Sequence, residues 1–159
     1  STVSAATTSS HMQSTTLRLS KKSLNQARDR LLAFQEEKME ANEDMIIIRE
    51  NVSLEAYIKY CEIERKLPVR IRLVEGKIIA YEVPLTEHGA VAGEIAFLIR
   101  SWNNQLHNVH EEDLIVGSNS YYTADLTIRP RGLPRPPPGQ GSNSSGNPYP
   151  TLVVEVGNS

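Results

Sequence analysis

The fold is decided by two stretches of the chain, residues 121–128, which read YYTADLTI, and residues 152–156, which read LVVEV. Both are rich in β-branched, aromatic and aliphatic residues, which is typical of β-strands. Each stretch contains one acidic residue, Asp125 in the first and Glu155 in the second. Side chains alternate along a strand, so Asp125 is predicted to share the more polar face of its strand with threonines.

Glu155 interrupts a nearly continuous apolar run, the pattern of a strand that is buried on both faces. A buried carboxylate is costly unless it is paired, so Glu155 is expected to have a partner: a Lys, an Arg or a metal ion. Two carboxylates on neighbouring strands supply the hard oxygen ligands that Mg²⁺ prefers. Such sites serve phosphodiester hydrolysis, because the metal neutralises charge on the phosphoryl oxygens.

The N-terminal half predicts a tail and a helical region. Residues 1–19 are mostly Ser, Thr, Ala and Gln, and they are expected to be disordered. Residues 20–66 form the predicted helical region, in which an amphipathic helix capped by Ser23 covers 23–41. A homodimer through this helix is an alternative use of its apolar stripe. A second helix is predicted to begin after Ser53.

A hairpin, a long helix and a loop are predicted farther along. Strands at 69–74 and 78–83 are joined by a tight turn, for which Gly76 supplies the positive φ. A helix is expected over 87–105. Its predicted buried stripe consists of Val91, Ile95, Leu98, Ile99 and Trp102. Residues 129–150 hold seven of the nine prolines and are predicted to form a disordered or functional loop.

From about Leu73 to Ser159 the chain resembles the restriction-endonuclease family of the PD-(D/E)xK nuclease superfamily. The matching motifs occur in the order found in that family. They are LVEGKII at 73–79, EHG at 87–89, ADL at 124–126 and PTLVVEV at 150–156. The resemblance implies a restriction-endonuclease-like fold of the α/β (α+β) class, in which a small mixed sheet is flanked by helices.

The resemblance also implies a function and a site. Asp125 and Glu155 are expected to be catalytic acids that bind Mg²⁺ or Mn²⁺, and Glu94 of the first core helix is a further candidate. The expected activity is metal-dependent endonuclease cleavage, with DNA as the partner. In the family a lysine follows from a later helix. The chain ends at Ser159, so the nuclease-like core at 67–159 is expected to be incomplete, with no catalytic lysine identified.

Structural roles for the same acids stay open at this stage. Asp125 is alternatively a strand-end acid that pairs with Arg129 or caps the proline-rich loop. Glu155 is alternatively half of a structural salt bridge. Glu94 is alternatively a solvated acid on its helix. His88 either faces the site or helps to cap the helix, and capping is the favoured reading.

An alternative function is a non-catalytic binding module of nuclease fold, acting through the amphipathic helix or through the loop. Arg129, Arg131 and Arg135 give that loop positive charge, which suits either phosphates or a protein partner. His107 and His110, expected near the end of the long helix, lack the ligand spacing of a zinc site.

Composition bears on the partners and the setting that are expected for the protein. The formal net charge is −2, so nucleic-acid binding requires a local basic patch. The lone Cys61 indicates a reducing, intracellular setting, with the compartment left open. No apolar run approaches the roughly 20 residues of a membrane span, so no membrane partner is expected.

Overall fold

The computed structural model describes residues 16–37 and 45–157. Its elements, in chain order, are α1 (Lys21–Glu37), β1 (Ile46–Arg49), α2 (Leu54–Ile63), β2 (Arg70–Val74), β3 (Lys77–Glu82), α3 (Thr86–Trp102), β4 (Leu106–Ile115), β5 (Tyr121–Pro130) and β6 (Leu152–Val154). Most of the tail predicted to be disordered, and the predicted end of the first helix at 38–41, lie outside the described residues. None of the helices in the described ranges is both long and apolar enough to cross a membrane.

The six strands form one sheet with the order β1-β3-β2-β5-β4, and β6 lies beside β5. Every strand pair in the described part of the chain is antiparallel, so the fold is α+β with an antiparallel sheet rather than the mixed sheet expected. β4 pairs along the whole of β5. The other edge of β5 is shared: β2 meets it at Tyr121, and β6 pairs with Leu126–Ile128. Asp125 therefore lies at the fork between β2 and β6.

The β2–β3 hairpin forms as predicted. Glu75 and Gly76 have φ values of 48° and 79°, and two successive positive φ angles are typical of a type I′ turn. At the open end of the hairpin the register shifts, because Arg70 opposes Glu82 whereas Ile71 opposes Ala80. Tyr81 is therefore the extra residue of a β-bulge. Bulges of this kind redirect neighbouring side chains.

α1 and α2 pack into one hydrophobic core with β1, β2 and β3. Leu24, Ala27 and Leu31 of α1 are buried there. The apolar stripe predicted as a dimer surface is thus buried within the chain itself. Ser20, rather than Ser23, caps α1, since its hydroxyl accepts from the Ser23 N–H at 3.1 Å. Ser53 caps α2 as predicted, because its hydroxyl accepts from the backbone N–H of the third residue beyond it, at 3.2 Å.

The buried face of α3 matches the predicted stripe only in part, because Ile95 and Ile99 pack against the second core cluster but the other members of the stripe do not. Ala92 and Ala96 are buried beside Leu126 and Ile128 of β5, in a second core cluster. In contrast, Trp102 is 80% exposed, and Val91 and Leu98 are exposed with it. The two alanines are four residues apart, so they lie on one face of the helix and let its backbone approach the sheet closely. α3 ends at Trp102, which places His107 and His110 in β4 instead of a helix.

The chain between β5 and β6 follows an irregular path that is attached to β4. Ile115 donates its N–H to the Ser142 carbonyl at 2.6 Å, and the Tyr149 hydroxyl donates to the Ile115 carbonyl at 2.8 Å. β6 itself is short, and Leu152 and Val153 are 51% and 43% exposed. The prediction of a strand buried on both faces is therefore wrong. β5 is the only strand that pairs with β6 among the described residues, so the other edge of β6 stays open.

Candidate functional site

The structure brings Asp125 and Glu155 together at the strand fork. Leu126 opposes Val154 in the β5–β6 register, so the next residue along β6, Glu155, comes opposite Asp125. Glu155 is exposed, in contrast to the buried position predicted for it. Even so, partial desolvation, the charge of Asp125 and a hydrogen bond with the Asp125 carboxyl raise the pKa of Glu155. The two residues thus face each other across the fork, and the charge of Asp125 acts on Glu155.

Asp125 is 4% exposed, and both of its carboxylate oxygens accept hydrogen bonds. The backbone N–H of Val156 donates to Oδ2 at 2.7 Å. The guanidinium of Arg70 donates to Oδ1. Arg129, the partner predicted from the sequence, bonds Glu112 instead. Asp125 thus takes its counter-ion from β2, because the fork opens the gap through which Arg70 reaches it.

Arg70 lies among four carboxyl groups. Besides Asp125, its guanidinium nitrogens are 3.7 Å from a carboxylate oxygen of Glu82 and 3.7 Å from one of Glu111, and its charge also acts on Glu155. Burial alone would lower the pKa of Arg70, but the hydrogen bond to Asp125 and the nearby negative charges raise it. We call these five residues the Asp125 cluster. One guanidinium thus faces four carboxyl groups, whose negative charges exceed its single positive charge when the acids are ionised.

Glu82 is an acid of this cluster that the sequence did not reveal. The Nδ1 atom of His88 lies 3.4 Å from its carboxylate. Burial raises the pKa of Glu82; His88 and Arg70 lower it, Asp125 raises it further, and the net shift is upward. His88 itself is buried, and the residue that caps α3 is Leu85, which offers no side-chain hydrogen bond. The favoured reading of His88 as a helix cap is therefore wrong, since its side chain points toward Glu82.

Glu94 lies elsewhere on α3. Its side chain is exposed, and the groups that bond Asp125 in the described part of the chain are the Arg70 guanidinium and the Val156 N–H. It comes six residues after His88, and six residues turn an α-helix by about 600°, which places the two residues on different faces. A catalytic role for Glu94 thus stays a prediction from the family resemblance.

A second buried acid, Glu112, has an arginine of its own as its partner. It accepts from the Arg129 guanidinium and the Thr127 hydroxyl on one oxygen, and from the Asn143 amide at 3.3 Å on the other. We call these four residues the Glu112 cluster. Here one guanidinium faces one carboxylate, and a hydroxyl and an amide donate to the same carboxylate. Among the described residues, Arg129 Nε is buried without a hydrogen-bond partner. The balance of one guanidinium and one carboxylate is that of a structural ion pair.

A cavity of about 660 Å³ lies between β4 and the segment that follows β5. Its lining includes Glu111, Arg129, Arg131, Arg135, Asn143 and Ser144, but neither Asp125 nor Glu155. Arg131 donates from Nε to the Asn104 carbonyl at 3.0 Å, which holds it at the rim. The cavity therefore adjoins the Asp125 cluster only through Glu111.

The fold family implies a divalent metal ion, for which the fork offers carboxylate ligands. Within residues 16–37 and 45–157, no three His, Cys, Asp or Glu side chains are arranged to hold one ion. Mg²⁺, however, usually keeps several waters and needs only one or two carboxylates from the protein. Asp125 and Glu155 supply two carboxyl groups that face each other at the fork. Two such carboxyl groups are donors that a water-rich site for a divalent metal can use.

The α+β fold, with two acids at a strand fork, is consistent with the restriction-endonuclease-like type. Comparison with protein-family models gives a match to Uma2, described as "Putative restriction endonuclease", over residues 54–159. The match spans more than half of the chain, so the chain belongs to the Uma2 family and is a nuclease-like protein. No curated protein matches it, and no solved structure does.

Proposed function

We propose that the chain is a metal-dependent nuclease that hydrolyses phosphodiester bonds of DNA. In this proposal Asp125 and Glu155 hold one Mg²⁺ or Mn²⁺ ion, as the family resemblance implies. The observation that carries it is the position of Glu155 opposite Asp125 across the β5–β6 pair, where Arg70 is the guanidinium that bonds Asp125. A divalent cation would balance the remaining negative charge of the cluster when its acids are ionised.

Each residue of the site has a definable task in such a reaction. The bound metal would neutralise charge on the phosphoryl oxygens and lower the pKa of a coordinated water. The Val156 N–H fixes the orientation of Asp125 from the backbone. Glu82 has a raised pKa and a buried histidine beside it, so it is a suitable proton acceptor nearer to neutral pH than an ordinary carboxylate.

The test is cleavage of DNA by the protein in the presence of Mg²⁺ or Mn²⁺, compared with cleavage in a chelator. Asp125→Asn and Glu155→Gln remove one charge each at nearly constant size. We expect each variant to lower the cleavage rate by more than about 100-fold, as is typical when a group that stabilises developing charge is removed. Gel electrophoresis of a labelled duplex measures the rate.

The matched control is Glu55→Gln, which removes one carboxylate from an exposed i,i+4 pair with Lys59 on α2. Its rate should equal that of the unchanged protein, because the pair lies outside the Asp125 cluster. Metal-dependent cleavage that survives both Asp125→Asn and Glu155→Gln would refute the assignment of the site.

A second candidate function is a binding module of nuclease fold that does not catalyse hydrolysis. The cavity lined by Arg129, Arg131 and Arg135 favours it, since neither Asp125 nor Glu155 lines this cavity. Calorimetric titration separates the two functions. Absence of Mn²⁺ binding at millimolar concentration would favour the binding module, whereas binding that Asp125→Asn abolishes would favour the nuclease.

A further inference from the structure

Arg70 has no role in the reaction described above, although its guanidinium lies at the centre of the Asp125 cluster. Its side chain is only 19% exposed. It donates to Oδ1 of Asp125 and stands 3.7 Å from carboxylate oxygens of both Glu82 and Glu111. Because Arg70 contacts these carboxylates, any cation that binds to them also meets the Arg70 guanidinium.

The two donors on Asp125 differ in how easily they can leave. The donor on Oδ2 is the backbone N–H of Val156, whose position is set by the pairing of β6 with β5. The donor on Oδ1 is the end of a flexible side chain. A metal ion needs a free lone pair on a ligand oxygen, and the Arg70 contact is the one that can be exchanged without moving a strand.

We propose that Arg70 and a divalent metal ion are alternative cations for Asp125. In the metal-free protein Arg70 holds Asp125, and binding of the metal displaces the guanidinium from Oδ1. This inference rests on the proposed metal site. The displaced guanidinium stays near the metal, because Glu82 and Glu111 still attract it. From there its planar set of donors suits the oxygens of a phosphodiester group.

The exchange has a consequence that a purely structural role would not have. A guanidinium close to a divalent ion repels it, so its removal should strengthen metal binding. A residue that only positioned Asp125 would have the opposite effect, since losing it would misplace a ligand and weaken binding. The direction of the change in affinity therefore distinguishes the two roles.

The experiment is a calorimetric titration of the 159-residue chain with Mn²⁺ in four forms: unchanged, Arg70→Gln, Arg70→Lys and Arg72→Gln. We expect Arg70→Gln to bind Mn²⁺ at least about tenfold more tightly. Arg70→Lys retains the charge and should stay near the affinity of the unchanged protein. Arg72→Gln is the matched control: Arg72 is two residues along the same strand and stacks between Tyr81 and Tyr122.

Equal or weaker Mn²⁺ binding by a folded Arg70→Gln variant would overturn the exchange while leaving the metal site standing. Absence of binding in all four forms would overturn the proposed function together with it. If Arg70→Gln does not fold, the Nε–Hε signal of Arg70 in the NMR spectrum of the unchanged protein decides. It should shift on addition of Mg²⁺, and an unmoved signal in a protein that binds Mg²⁺ would contradict the exchange.

Discussion

The Asp125 cluster and the Glu112 cluster both include residues of β4 and β5, yet their charges are arranged differently. In both, a buried acid bonds an arginine. Glu112 meets one guanidinium, one hydroxyl and one amide, so its single charge is matched. Asp125 shares its arginine with Glu82, Glu111 and Glu155. A matched ion pair serves the fold, whereas an excess of carboxylates calls for a further cation.

The largest expected effect is a loss of stability when the ion pair of the Glu112 cluster is removed. Glu112→Ala leaves the buried Arg129 guanidinium without its carboxylate, and breaking a buried pair costs about 3–5 kcal/mol. Urea denaturation should show that loss in the free energy of unfolding. Mn²⁺ affinity measured under conditions where the variant is folded should be unchanged. A loss of Mn²⁺ binding in the folded variant would show that the two clusters are not separate.

Asp125→Asn should impair metal binding by the Asp125 cluster. It removes a direct ligand of the proposed ion, so Mn²⁺ binding should weaken by more than about 100-fold, beyond what loss of an outer-shell partner causes. The amide oxygen can still accept from the Val156 N–H, so the loss of stability should be smaller than for Glu112→Ala. Titration calorimetry and urea denaturation of the same variant give both values. Unweakened Mn²⁺ binding would exclude Asp125 as a ligand.

Much of the fold follows from sequence patterns, and the exceptions have physical reasons. The hairpin at Gly76 and the cap at Ser53 depend on local backbone chemistry, which neighbouring residues determine. The buried face of α3 does not depend on local chemistry alone. The predicted stripe consists of large apolar residues such as Trp102, and it leaves out Ala92 and Ala96, which are buried. Close packing against the sheet favours the small residues, and that is a property of the partner surface.

The site was predictable only in part for the same reason. Glu155 stands out because it interrupts an apolar run, and Asp125 stands out because it is the acid of its predicted strand. Arg70 and Glu82 do not, since charged residues at the open end of a hairpin are ordinary. They enter the site through the Tyr81 bulge and through the fork between β2 and β6. Pairings between distant strands of this kind leave no local signal in the sequence.

Glu155→Gln should stabilise the metal-free protein, whereas Glu112→Ala should destabilise it. The pKa of Glu155 is raised on folding, so the folded chain binds that proton more tightly than the unfolded chain does. Stability from this group is therefore present at low pH and is lost as the pH rises through the raised pKa. At pH 7 Glu155→Gln should stabilise the metal-free protein by less than about 1 kcal/mol, because solvent screens an exposed group.

Thermal unfolding in a chelator, at pH 7 and again below pH 4, measures this difference. The extra stability of the Glu155→Gln variant should vanish at the lower pH, because both proteins then carry an uncharged side chain at position 155. Destabilisation at pH 7 would mean that Glu155 has a favourable partner in the metal-free state.

The smallest expected effect is that of substituting Glu94, the further catalytic candidate on α3. Glu94→Gln changes an exposed residue away from the fork, whereas Glu82→Gln changes a member of the Asp125 cluster. DNA cleavage should fall in Glu82→Gln and stay within about twofold of the unchanged protein in Glu94→Gln, as surface substitutions usually have small effects. The reverse ranking would place Glu94 in the site, as the family resemblance predicts.

The most direct test of the central claim is anomalous X-ray scattering from a crystal of the protein soaked in Mn²⁺. The difference between the two clusters predicts one anomalous peak at the fork, bound by carboxylate oxygens of Asp125 and Glu155 at roughly 2.0–2.3 Å. No peak should lie beside Glu112. A crystal with no peak at the fork, or with its peak at Glu112, would contradict the claim that the Asp125 cluster is the one built to receive a cation.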